Sequence, residues 1–235
     1  VVDLLDRDAT FDFIASVKPT LVIDAAASLG STPPNFDLMP KNSAVIYSLH
    51  ATKVLGAGEG ALVILENEEM AGELRSWSNF GFDGNRVSNI RSTNAKMSEF
   101  SAAIALASLE DFENEKSEWL YALESIAGLD IPERFRTIVD TYSGFRPYWI
   151  IQTLHLEERQ QLEDFLRVNG VESRSWWASR LSDMPAFAQI EKIGENLNSQ
   201  NLAESHLGLP IWRDIKTSDL NLIAKLLNEF KFSPK

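Results

Sequence analysis

The chain has 235 residues, 44% of them hydrophobic and 24% charged. That is length enough for one large or two modest cored domains, and a composition foreign to disordered, collagen-like or coiled-coil polypeptides. Its 34 acidic and 22 basic side chains leave a net charge of −12, whose field repels phosphates and excludes a generic nucleic-acid or anionic-membrane binder, while the lack of cysteine excludes disulfides and thiolate chemistry and agrees with a cytoplasmic setting.

Residues 1–13 are acidic and lack the basic-then-apolar pattern of a signal peptide, and no apolar run approaches the ~18 residues of a membrane span. The first methionine, Met39, lies within the most motif-rich region, so the sequence reads as part of a longer one. Short apolar runs predict buried strands at 21–23, 44–47 and 61–65, separated by turn residues that include Gly30, Pro33, Pro34, Gly56, Gly58 and Gly60. A helical period covers 68–77. Another covers 98–112, where Phe100, Ile104, Leu109 and Phe112 share one face.

The charged run 110–116 reads as a solvated helix end or connector, and divides the chain into domains 1–115 and 116–235. Beyond it the pattern predicts strands at 136–142 and 148–154, a helix over 157–169 ended by Gly170, and a strand over 172–177. A closing helix is capped by Thr217 or Ser218 and carries the stripe Leu220, Ile223, Leu227 and Phe230. This second half reads as a small α+β unit.

The chemically informative stretch is Ile46-Tyr47-Ser48-Leu49-His50-Ala51-Thr52-Lys53, which leads from a strand into the glycine-rich turn Gly56-Ala57-Gly58-Glu59-Gly60. A lysine held desolvated at such a sheet edge becomes a nucleophile for carbonyl carbons, although most lysines are solvated surface residues. Asp24 ends the run 21–23, where α/β sheets gather their ligands. A carboxylate buried there needs a cationic partner, and the competing role for Asp24 is a helix N-cap. The turn 56–60 has neither the dinucleotide fingerprint spacing nor the Gly-Lys-Ser/Thr ending of a phosphate loop. His155 and His206 have no partner at metal-ligand spacing, so no metal site is expected.

Taken with Asn94-Ala95-Lys96-Met97-Ser98-Glu99-Phe100, these residues resemble the DegT/StrS family of pyridoxal-phosphate-dependent nucleotide-sugar aminotransferases. The resemblance is close over 21–112 and looser beyond, through 170–177 and 207–210. It implies an α/β fold of the PLP-dependent transferase type (aspartate aminotransferase-like, fold type I), with the large domain incomplete at its amino end and a small α+β carboxy-terminal domain. It also implies pyridoxal 5′-phosphate as cofactor, a nucleotide-sugar substrate, glutamate as amino donor, and a homodimer with shared active sites.

By the same resemblance Lys53 matches the Schiff-base lysine that shuttles the proton, Asp24 the acid that keeps the pyridine nitrogen protonated, and Ser48 a hydroxyl on the cofactor phosphate. Asn94 matches a residue reaching the phosphate of the neighbouring subunit. His50, three residues before Lys53, is expected either to line the sugar pocket or to be a half-buried histidine satisfied locally, and the charge of Arg174 suits an anion partner for a nucleotide diphosphate. Trp176 and Trp177 resemble a strand that closes the pocket in some relatives, although packing within the small domain is the stronger expectation for them, and Glu59 reads as loop architecture. Ala27 stands where many relatives carry Gln or His, and Ser92 where a glycine is frequent. The aromatic residue and backbone phosphate donors that relatives supply from an additional amino-terminal segment are not found ahead of Val17. Two other functions are compatible with the residues: a catalytically inactive scaffold relative, and the sugar dehydratase branch of the family. The presence of Lys53 favours the transaminase over the dehydratase.

Overall fold

The computed structural model describes residues 16, 20–31, 36–138, 145, 147–175, 179–191, 194 and 197–234. These fall into two compact units, one reaching to Lys116 and including Phe145, the other running from Ser117 and resuming at Pro147.

In the first unit β1 (Val22–Asp24) lies parallel to β2 (Ala44–Ser48), and β3 (Ala61–Leu65) antiparallel to β2, in the order β1-β2-β3. All three are runs rich in Val, Ile and Leu, but only the central β2 is buried as expected: on the flanking strands Val22 is 62% exposed and Leu62, Val63 and Ile64 are 39%, 39% and 43% exposed. Because side chains alternate along a strand, Val45 and Tyr47 point to one face, where they pack with Ala25, Met39, Leu21, Ile23, Leu29 and Phe36. Burial there raises the pKa of the Tyr47 phenol above its ordinary value, so it stays neutral. The register pairs Asp24 with Ile46, so Asp24, Ile46 and Ser48 share the opposite face. A second cluster of Leu49, Leu55 and Ala57, with Leu29, Met97, Ala105 and Phe112 against it, anchors the turn that follows β2.

Two helices complete this unit. Asn67 caps α1 (Glu68–Ser78) by accepting the N–H groups of Glu69 and Met70, and Ser98 caps α2 (Glu99–Glu110) by accepting that of Ser101. Of the stripe expected to face the core, Phe112 packs inward against the Leu49 cluster, but the members on α2 turn outward: Phe100 is 86%, Ile104 50% and Leu109 54% exposed. The side turned inward is the smaller one, with Ser101, Ala102, Ala105 and Ser108 half-buried and Ala105 against the Leu49 cluster. Small side chains at that spacing allow closer approach than the large ones would.

The charged run 110–116 is made of helix ends, as one of its two readings has it, and is not a connector. After Asp111, which ends α2, the chain enters α3 (Phe112–Ala127), and Glu113 and Glu115 lie in its first turn, where carboxylates complement the helix dipole.

The second unit is a four-stranded antiparallel sheet of order β4-β5-β7-β6, from β4 (Arg136–Ile138), β5 (Trp149–Gln152), β6 (Arg174–Ser175) and β7 (His206–Leu209). Trp149 and Ile151 pair with Leu209 and Leu207, forming an apolar surface. Onto it pack Ala122 and Ile126 of α3, Leu162 and Leu166 of α4 (Leu156–Val168), and Leu220, Ile223, Leu226 and Leu227 of α6 (Thr217–Glu229). The short α5 (Leu197–Ser205) leads directly into β7.

His155, not a hydroxyl residue, caps α4 by accepting the Glu158 N–H at 3.3 Å, and Gly170, at φ 79°, follows its end. Lys216 occupies the N-cap of α6 without a side-chain bond, so Thr217 starts that helix instead of capping it. Residues 139–142 and 176–177 of the expected strands lie outside the described residues. Among the described residues no helix is long and apolar enough to cross a membrane.

Candidate active site

β1 and β2 are parallel, so Asp24 and Ser48 stand at the same, carboxyl end of the sheet and on the face turned away from the apolar cluster. The Asp24 carboxylate is exposed and accepts the Ala26 N–H at 3.0 Å. It therefore opens a tight turn, in which the Ser28 N–H also reaches Ala25 O, instead of capping a helix. One carboxylate oxygen remains outside that bond. Ser48 Oγ accepts the His50 N–H at 3.2 Å, which folds the chain sharply as it leaves the strand.

The turn after β2 is held by its own backbone. Leu49 and Ala51 donate to Gly60 O and Gly58 O, Ala57 donates back to Leu49 O, and Lys53 donates to His50 O. Gly56 is required by contact: a Cβ there would stand 2.6 Å from Ala51 O. With Leu55 and Ala57 buried on one side, Lys53 is half-buried at the rim. Its ammonium has no hydrogen bond or ion pair among the described residues. A lysine amine without a competing carboxylate is free to meet a ligand.

His50 Nδ1 accepts the Thr52 N–H at 3.2 Å and lies 3.0 Å from Thr52 Oγ1, so the ring proton sits on Nε2, 3.6 Å from Glu59 Oε1. Both Thr52 and Glu59 thus bear on the orientation of His50. The sequence reading gave Thr52 no role, and its only signal was the one-residue spacing from His50.

Asn94 sits on an exposed loop between α1 and α2 and forms an antiparallel bridge with Asn79. Thr93 and Ala95 donate to Trp77 O and Ser78 O, and Phe80 donates to Thr93 O, so the loop is stitched to the end of α1. Lys96 Nζ donates to Asn79 Oδ1 at 2.7 Å. Ser92 packs here too, its Oγ lying 3.0 Å from where a Cβ on Gly81 would be.

Arg174 is exposed on β6 of the second unit, whereas Asp24, Ser48, His50, Lys53 and Asn94 belong to the first. Trp176 and Trp177 lie outside the described residues. Among the described residues no three His, Asp or Glu side chains gather at metal-binding distance. His155 and His206 are both used locally: burial holds the His206 imidazolium pKa below its ordinary value, opposed by the bond from Nδ1 to Leu202 O at 3.0 Å.

The arrangement therefore brings a carboxylate and a hydroxyl to one end of one sheet face, with an amine that has no partner among the described residues in the turn that leaves the same strand end. By residue type, that set can meet an anion at Ser48, a cation at Asp24 and an electrophile at Lys53.

Comparison with known proteins bears on both fold and site. The profile described as the DegT/DnrJ/EryC1/StrS aminotransferase family matches residues 7–228. The dTDP-4-amino-4,6-dideoxy-D-glucose transaminase of Shigella dysenteriae is 24% identical over 96% of this chain and 63% of its own length. The structure of DesI determined in the presence of its TDP-sugar product superposes with a TM-score of 0.74 at 26% identity, covering 93% of this chain and 57% of that one. A Bacillus cereus structure assigned to the PLP-dependent aminotransferases gives a TM-score of 0.75 at 24% identity, covering 94% and 61%. The chain thus spans less than two thirds of the length of each. The fold they share with it is the α/β fold type I.

Proposed function

We propose that this chain, which belongs to the DegT/DnrJ/EryC1/StrS aminotransferase family, carries the lysine, acid and phosphate-binding hydroxyl of a nucleotide-sugar aminotransferase. The enzyme binds pyridoxal 5′-phosphate and moves an amino group from glutamate to a keto-deoxysugar nucleotide, in the cytoplasm, for deoxysugar or cell-surface polysaccharide synthesis. The observation that carries this reading is the shared sheet edge: Asp24 and Ser48 on one face at the carboxyl end of their strands, and Lys53 half-buried in the turn beyond.

When bound, the cofactor supplies the electron sink that lets the amino-bearing carbon lose its proton. The protein supplies the rest. Ser48 Oγ would donate to the cofactor phosphate, and the Asp24 carboxylate would serve as counter-charge to a protonated ring nitrogen. The Lys53 amine would hold the cofactor and, when free, would serve as the base that takes and returns the substrate proton. His50, oriented by Thr52 and Glu59, lines the sugar pocket. Arg174 pairs with the nucleotide diphosphate. Asn94 reaches the phosphate held by a second copy in a homodimer, which explains a polar side chain kept on a loop so closely stitched. Residues 1–115 form the cofactor-binding part and 116–235 the small domain.

Incubation with pyridoxal phosphate, borohydride reduction and peptide mass spectrometry should give an adduct confined to Lys53. Lys53→Ala should then lower transamination by about 10³-fold or more, and Asp24→Ala should cripple it while leaving some adduct. An adduct scattered over surface lysines, or full activity in Lys53→Ala, would defeat the reading.

A further inference from the structure

Phe80 has φ 59°, and among the described residues it alone, apart from glycines, adopts a positive φ. It follows Asn79, the C-cap of α1, at the position where helices usually place glycine because a Cβ is strained there. Gly81 beside it has φ 74°, so two successive left-handed residues reverse the chain. A strained non-glycine residue calls for a compensating contact.

That contact is Lys96. Its ammonium stands 4.3 Å from the centroid of the Phe80 ring while donating to Asn79 Oδ1. Phe82 tilts against the same ring at 5.7 Å. Asn79 and Asn94 are a non-hydrogen-bonded antiparallel pair, since the bonds run from Phe80 N to Thr93 O and from Ala95 N to Ser78 O. Such pairs have the closest side chains in a ladder, on a common side. Lys96, two residues past Asn94, reaches that side. The cation also lies beside the carbonyl end of α1, where the helix dipole favours it, and the returning chain satisfies Trp77 O and Ser78 O, which the helix itself leaves open.

We infer that Lys96 is a positioning residue. Clamped on Asn79 and the strained Phe80 ring, it latches the loop that carries Asn94 to the end of α1, and so aims Asn94. The inference rests on the reading of Asn94 as a ligand of the cofactor phosphate. The Phe80 ring, which a glycine at this position would lack, is the platform for the cation.

The test is amide hydrogen exchange on the intact protein without cofactor, in Lys96→Met, which keeps the stem and removes the charge, and in Lys96→Arg, which restores a cation able to stack. Protection at Thr93 and Ala95 should fall about three- to tenfold in Lys96→Met and return in Lys96→Arg, while the amides of β2 are unchanged. In Phe80→Gly, removal of the Lys96 charge should cost less protection than in the wild type. Unchanged exchange in Lys96→Met, or an equal loss in both backgrounds, would overturn the latch.

Pyridoxal phosphate affinity then separates latch from ligand. Asn94→Ala without loss of affinity would refute the reading of Asn94, and the exchange data would still judge the latch. Loss in Asn94→Ala but none in Lys96→Met would refute the aiming role.

Discussion

Asp24, Ser48 and Lys53 stand out in the sequence because each follows an apolar run that has to be a strand, and polar residues at such ends have no core to enter. Their chemical class is legible from residue type, but their surroundings are not. Whether Asp24 caps a helix or opens a turn depends on the direction of the chain after Ala25, and the structure gives the turn. His206 shows how burial decides what a residue does. It is 8% exposed, donates to Leu202 O and resists protonation. Its pKa is lower folded than unfolded, so between those values the unfolded chain binds more protons. The corresponding stability is full above about pH 6.5 and is lost as pH falls through the folded value. Urea midpoints measured from pH 8 to pH 5 should therefore drop at the acid end, and His206→Gln should flatten that slope.

Helices and strands are written more plainly than the way their faces are used. The strand runs at 44–47 and 61–65 and the helices at 68–77 and 157–169 appear within a residue or two of the positions read, since apolar period and caps are local properties. Which face of α2 is buried is not local: periodicity favours Phe100, Ile104 and Leu109, yet the inward side is the small-residue one. α3 escaped notice because its first turns are so heavily charged, and only Ala122 and Ile126 are deeply buried. Capping can be tested element by element. Asn67→Ala removes the acceptor of the Glu69 and Met70 N–H groups and should lower stability by about 1 kcal/mol, with lost exchange protection confined to the first turn of α1. Asn67→Ser should recover most of it.

At the scale of the molecule, the charge of −12 acts on stability through repulsion that no single pair describes. Raising salt from about 10 mM to about 150 mM shortens the screening length from about 30 to about 8 Å, so the melting temperature should rise. A fall would mean that specific ion pairs, such as Arg180 with Asp183, outweigh the mean field. Among the described residues the second unit gathers its buried apolar side chains in one cluster, whereas the first divides its own between the β1–β2 face and the turn that bears Lys53. The sequence by itself determined the α/β character and the strand-then-turn setting of Lys53, because these follow from period, residue type and short-range spacing, and its motifs carried the resemblance to the family. The tertiary structure alone decided that Asp24 and Ser48 share a face, that the large side chains of α2 point outward, and that Lys96 closes on Asn79 and Phe80 across the mouth of a loop. Those depend on register and on backbone reversal, which bring together residues that spacing along the chain does not relate.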